Sequence, residues 1–254
     1  MGGLADCDVI VLCGGLGTRL QSVLRDRPKP MADIHGHPFL SLIVEHFRCH
    51  GARRFIFSTG HRGEMIEDWF RRQQAGYEAT FIRDPSPLGT GGALAHAMTA
   101  VRSDPFLVVN GDSLCEIDSE RLLRFHALKR ACATIVATQQ EDRQDTGAVM
   151  LGEDDRVLSI VEKPRIRARG YDNAGIYVFD HTIQSHFPAK GAWSLEHDLF
   201  PQLVSQRLYA FVTASPLHDI GTPERLARFR DIWRHTSARF PPQLVPHAQG
   251  AISS

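Results

Sequence analysis

Val9-Ile10-Val11-Leu12-Cys13-Gly14-Gly15-Leu16-Gly17-Thr18-Arg19-Leu20, followed after seven residues by Pro28-Lys29-Pro30-Met31, is the stretch from which the chain is read. An apolar run rich in β-branched residues predicts a strand buried on both faces of a parallel sheet. Glycines directly after such a strand let the backbone turn tightly and leave amide N–H groups uncovered, and those amides cradle phosphate oxygens. Arg19 and Lys29 add two cations close by. Strand, bare loop and cations together point to a site for a polyphosphate.

The remaining sequence repeats that logic. Strands are predicted at 8–13, 54–58, 79–83, 106–110 and 133–138, alternating with helices at 38–50, 62–73, from the glycine turn at 88–94 to about 101, and at 119–130. Gly51 is a natural stop for the first helix. Strand–helix alternation implies a mostly parallel sheet covered by helices on both faces, with ligands at the carboxyl ends of the strands. The turn Leu88-Gly89-Thr90-Gly91-Gly92-Ala93-Leu94 and the corner Asn110-Gly111-Asp112-Ser113 both fall at such ends. The second half is less regular. It reads as a hairpin (148–151 and 157–161), a strand at 173–179, a helix at 194–204 capped by Ser194, a strand at 208–213 and a last helix opened by Pro223. One domain is expected over 1–235, with an irregular tail at 236–254.

Composition narrows the function classes. The 254 residues are 43% hydrophobic and 23% charged, ordinary for a soluble domain with a sizeable core. Lys and Arg number 29, as do Asp and Glu, so no net field favours nucleic acid or an anionic membrane, and an anion site must be built locally. Five cysteines without CxxC pairing suggest reduced thiols in a cytoplasm. No signal peptide and no apolar run of membrane-spanning length is expected. His46, Cys49 and His50 share a helix face, but no further ligands cluster with them, and they read as a solvated face rather than a zinc site.

Taken alone, the first loop leaves several readings open. Gly15-x-Gly17-x-x-Leu20 approaches a dinucleotide fingerprint but lacks the third glycine, and Gly-Lys-Ser/Thr of a Walker loop is absent. A glycine cluster also serves a tight strand–helix connection that binds nothing.

With Pro28-Lys29-Pro30 at its spacing, the loop resembles the signature of sugar-1-phosphate nucleotidylyltransferases. The resemblance continues through Leu88–Leu94, Val109–Ser113, Glu162-Lys163-Pro164, Asn173-Ala174-Gly175 and Asp219-Ile220-Gly221-Thr222. Pro-Lys-Pro-Met-Ala, Gly36-His37-Pro38-Phe39-Leu40, Ser58-Thr59-Gly60 and Ser194-Leu195-Glu196-His197-Asp198 are most similar to the branch that guanylylates D-glycero-α-D-manno-heptose 1-phosphate. Cys13 stands where the family usually has Ala, and His197 where this branch often has Lys. Relatives that transfer cytidylyl or uridylyl groups to a hexose or N-acetylmuramate 1-phosphate share the spacing, as would a catalytically silent nucleotide sensor on the same fold.

The resemblance implies a Rossmann-like, mostly parallel mixed sheet, the nucleotide-diphospho-sugar transferase fold, with a smaller sugar-binding part in the second half. It implies transfer of a nucleotidyl group, GMP from GTP, to a sugar 1-phosphate with release of pyrophosphate, assisted by Mg²⁺ on Asp112 and Asp219. Arg19, Lys29, Asp112 and Lys163 become the catalytic set. Leu12, Gly14, Gly15, Gly17, Thr18, Arg19, Gly89, Thr90, Gly92 and Asp112 are expected at the nucleotide. Lys29, Asn110, Gly111, Glu162, Lys163, Asn173, Gly175 and Glu196 are expected at the sugar phosphate, Glu196 doubling as a helix-start residue. A cytoplasmic enzyme is implied, with a homodimer left open.

Overall fold

Asp8–Leu12, the strand read first, lies inside the main sheet of the computed structural model, which describes residues 3–15, 17–20, 23–73, 76–139, 147–161, 170–188 and 191–236, with only the backbone of Thr18, His235 and Thr236. In chain order the strands are β1 (Asp8–Leu12), β2 (Asp33–Ile34), β3 (His37–Pro38), β4 (Arg54–Thr59), β5 (Glu78–Arg83), β6 (Phe106–Asn110), β7 (Ser113–Cys115), β8 (Ala133–Gln139), β9 (Ala148–Leu151), β10 (Val157–Val161), β11 (Tyr171–Phe179), β12 (Leu208–Thr213) and β13 (Leu217–Asp219). The helices are α1 (Phe39–Cys49), α2 (Gly63–Arg72), α3 (Gly89–Ala97), α4 (Ser119–Leu128), α5 (Phe200–Leu203) and α6 (Pro223–Thr236).

The main sheet runs β10-β9-β11-β6-β1-β4-β5, with β8 joined to β11 and β12 joined to β8. β6, β1, β4 and β5 are mutually parallel, as the strand–helix alternation predicts. β11 enters antiparallel to β6 and β8, and β12 runs parallel to β8, so the sheet is mixed. Val9, Ile10 and Val11 are fully buried. Val9 and Val11 pack into the core formed with α1 and α6, and Ile10 into the core that holds Leu94 of α3 and Tyr177 and Phe179 of β11. That two-sided burial is why the strand reads as an unbroken apolar run.

Several expectations need correction. The helix predicted at 194–204 is a π-helical turn, Leu195–Leu199, followed by the single α-turn of α5. Ser194 does cap it, accepting the Glu196 and His197 amides. The helix predicted to reach about 101 ends at Ala97 and tightens into a 3-10 turn over Met98–Ala100. His46 is not on a solvated face: it is 5% exposed, and its Nε2 accepts the Ile117 amide at 3.2 Å. α6 runs to Thr236, and 237–254 lie outside the described residues. Among the described residues no helix is long and apolar enough to cross a membrane.

Two small pairings were not read from sequence. β2 and β3 form a hairpin held against α6, where Arg230 Nε donates to Asp33 O at 2.8 Å and His35 Nε2 lies 2.8 Å from Arg230 O. β13 pairs antiparallel with β7, setting Asp219 opposite Ser113.

Candidate active site

The parallel strands bring their following loops together at one sheet edge. The Cys13 amide bonds Ser58 O at 3.0 Å, and the Gly111 amide bonds Leu12 O at 2.8 Å, so the turn after β1 is tied to the end of β4 and the turn after β6 to the end of β1 through backbone. Gly17 has φ +57°, and a Cβ there would stand 2.9 Å from Lys29 Cβ. Only a residue without a side chain lets the loop fold this closely over the lysine.

Around this edge lies one cleft of about 860 Å³. Of the residues predicted at the nucleotide, Leu12, Gly14, Gly15, Gly17, Arg19, Gly89, Thr90 and Asp112 line it, and Lys29 and Asn110 from the sugar-phosphate set join them. Thr18 contributes backbone to the short helical turn that carries Arg19. Gly92 sits inside α3, packed on the Leu88 side chain, and Gly111 lies in the turn against Leu12 and Cys13; neither lines the cleft. Glu162 and Lys163 lie outside the described residues.

Lys29 Nζ stands 2.7 Å from Asp112 Oδ2, with the lysine side chain 13% exposed and the aspartate 42%. Asp219 Oδ1 accepts the Gly221 amide at 2.7 Å and the Arg225 guanidinium at 3.1 Å. Asp219 itself is off the cleft, but Gly221 lines it. The Ile220 amide bonds Asp112 O at 3.3 Å, so the two carboxylate-bearing corners lie side by side. The Arg19 guanidinium reaches the same corner, with Nη2 3.7 Å from where a Gly221 Cβ would be. No group of three or more His, Cys, Asp or Glu gathers as a metal centre among the described residues. The neighbouring aspartates, free of thiolate and imidazole, do fit a hard divalent cation that keeps most of its water and takes phosphate oxygens.

The remaining predicted sugar residues sit behind the cleft. Asn173 Oδ1 accepts the Gly175 amide at 3.0 Å, and its Nδ2 donates to Tyr177 OH at 3.0 Å, where β11 bulges away from β8. Gly175 presses on Asn110 and Ser113. Asn110 Oδ1 is buried with no hydrogen-bond partner among the described residues. Glu196 accepts from Thr90 Oγ1 at 2.9 Å and Ser194 Oγ at 2.7 Å, which links it to the cleft through Thr90.

Sequence reasoning missed Asp84. It follows β5 directly, lines the cleft, and has a side chain only 6% exposed. The signal was present: a carboxylate at the carboxyl end of a parallel strand, the same signal that singled out Asp112. Burial, with the Asp84 charge adding to it, pushes the Cys13 thiol well above its ordinary pKa. Cys13 is therefore a neutral, small apolar wall of the cleft.

The chain matches the family described as nucleotidyl transferase over residues 8–232. It is a member of the nucleotidyl transferase family. This nucleotidyl transferase is 34% identical over 225 residues to the mannose-1-phosphate guanylyltransferase of Mycobacterium tuberculosis, a match covering 87% of this chain and 63% of that protein. It is 33% identical over 220 residues to the D-glycero-alpha-D-manno-heptose 1-phosphate guanylyltransferase of Campylobacter jejuni, covering 87% of this chain and 97% of the other. In three dimensions it resembles HddC from Yersinia pseudotuberculosis complexed with GMP-PN, at TM-score 0.78 and 34% identity, over 89% of this chain and 99% of that one.

Proposed function

We propose that this nucleotidyl transferase moves GMP from GTP onto a sugar 1-phosphate, D-glycero-α-D-manno-heptose 1-phosphate, releasing pyrophosphate and forming a GDP-sugar for surface glycan assembly in the cytoplasm. The observation that carries the reaction class is the cleft in which the glycine loop, Arg19, Lys29 and Asp112 meet at parallel strand ends. The guanylyl group is supported by relatives named for it at 33–34% identity. The heptose is supported by the relative named for it, matched at 33% identity over 220 residues, and by the guanylyltransferase-branch motifs read in the sequence.

In-line attack by a sugar phosphate oxygen on the α-phosphorus forms one O–P bond and breaks the bond to the departing pyrophosphate. Such a transfer needs placement and charge stabilisation and no covalent intermediate. Arg19 neutralises charge developing on the pyrophosphate, and Lys29, roofed by Gly17, stands between the two reacting phosphates. The amides of the Gly14–Gly17 loop hold the triphosphate. The family resemblance assigns Lys163 to the sugar phosphate, and Glu162, Asn173, Gly175 and Glu196 to its hydroxyls. Asp112 and Asp219 would hold Mg²⁺, which offsets phosphate charge and orients the triphosphate when bound. Asp84 offers the base a buried pair of acceptor oxygens, and guanine presents two adjacent donors, N1–H and N2–H, to such a pair.

A matrix of nucleoside triphosphates against sugar 1-phosphates, read by pyrophosphate release, tests this. Release is expected only when triphosphate, Mg²⁺ and sugar 1-phosphate are all present, fastest with GTP and the heptose phosphate. Silence across the whole matrix would overturn the enzyme reading, and preference for mannose 1-phosphate would overturn the heptose. Asp112→Asn is expected to lower kcat about 100-fold or more with the fold intact; an undiminished rate would remove the metal assignment.

A further inference from the structure

Asp84 is the cleft carboxylate that the phosphate chemistry leaves unused. Its amide donates to Thr59 O at 2.8 Å, fixing the backbone at the end of β5. Its Oδ1 lies 2.9 Å from His96 Nδ1, and its Oδ2 lies 3.4 Å from Ser58 Oγ. Oδ2 also faces the glycine loop, 3.5 Å from where a Cβ on Gly14 would be. An ionised carboxylate has no proton to give, so His96 Nδ1 carries the hydrogen and donates it. His96 belongs to α3, the helix whose first residues, Gly89 and Thr90, line the same cleft.

The terminal torsion of an aspartate is broad, and a buried carboxylate is costly unless hydrogen-bonded. His96 on one oxygen and Ser58 on the other remove that freedom. Each oxygen keeps a further acceptor position. Cys13, a neutral thiol beside the pair, adds no second negative charge. We propose that His96 is a positioning residue for base selection, holding the Asp84 carboxylate in the orientation that accepts both N1–H and N2–H of guanine. The inference rests on the guanylyl reading given above and names the group behind its selectivity.

Steady-state kinetics with GTP and ITP test it, because inosine lacks the 2-amino group and makes only one of the two bonds. His96→Ala is expected to raise KM for GTP about tenfold, with the loss in KM rather than kcat, and to bring the GTP-over-ITP preference towards unity. His96→Asn, whose side-chain amide replaces the Nδ1 donor, should restore the preference. His96→Leu, similar in size and without a donor, reads the same outcome should the alanine variant not fold. A wild-type GTP-over-ITP ratio in the donor-less variant overturns the inference, whatever its absolute rate. Wild-type protein that turns over other triphosphates but not GTP overturns the guanylyl reading and this inference with it. GTP turnover with an unchanged ratio overturns this inference alone.

Discussion

His46, on the buried face of α1, sets its Nε2 against the Ile117 amide, and burial, reinforced by nearby His50, lowers its pKa to about 4. Protonation would turn that acceptor into a donor facing another donor. In the unfolded chain the same imidazole titrates near 6.5, so above pH 7 both states are neutral and the residue is silent. As pH falls from 6.5 towards 4 the unfolded state takes up a proton that the folded state refuses. Stability is then lost progressively, by at most roughly 3 kcal/mol. Urea unfolding at pH 7.5 and pH 4.5 checks this: His46→Gln, which keeps an acceptor but cannot titrate, should lose less stability over that interval than wild type. Equal losses would show that other groups set the acid response. At this scale Arg19 and Lys29 stood out as cations beside the strand-end glycine loop, and Asp112 through the family motif in which it falls. Asp84 and His96 were not, since their pairing depends on α3 packing against β1 and β4 so that His96 reaches the residue after β5, a relation no local spacing encodes.

α3 is a helix with three glycines among its nine residues, a sequence of low intrinsic helicity. It is held from outside. Trp193 O accepts the Gly91 and Gly92 amides at 3.0 and 3.3 Å, and the Trp193 amide returns to Leu88 O at 2.9 Å, satisfying donors that a helix start leaves open. The Trp193 ring fills the space over Gly91, where an added Cβ would fall 1.9 Å from a ring carbon. Gly91→Ala should therefore destabilise the protein by about 1–3 kcal/mol despite the better helix propensity of alanine. Trp193→Leu in the same background should return part of that loss. Chemical denaturation of the two single variants and the double variant measures it; strictly additive effects would refute the packing account. The glycines were visible in sequence as a turn suited to a ligand, whereas the tryptophan that requires them lies about a hundred residues on. The four parallel strands, five or six residues each, were readable because β1 and β6 are apolar runs, β4 and β5 carry apolar residues at their centres, and helices separate all four in the chain. β7 and β13, three residues each, are too short to carry a periodicity, yet they set Asp112 beside Asp219.

Over the whole molecule the cleft collects residues from 12 to 221, so a ligand there ties sequence-distant segments together. A ligand that binds only the folded state stabilises it by about 2.7 kcal/mol at a hundred times its Kd. For a chain of this size that corresponds to a rise of roughly 5–10 °C in Tm. Calorimetric scans should show that rise with GTP and Mg²⁺, and much less after chelation; no shift with either would count against the nucleotide site. The parallel half of the sheet could be foreseen because alternating strands and helices admit few topologies. The antiparallel entry of β11 could not, because its pairing partners β6, β8 and β9 are chosen by long-range packing.

Asn110 Oδ1, buried at the cleft without a hydrogen-bond partner among the described residues, bears on how such a chain would respond to selection. A buried acceptor left unmet costs about 1–3 kcal/mol, and a substrate hydroxyl or amide arriving beside it would recover that energy as affinity. In the same scans Asn110→Leu should melt higher without ligand and gain less from it. Breeding this protein for heat resistance alone would discard the asparagine early, and the hardier descendants would be poorer catalysts.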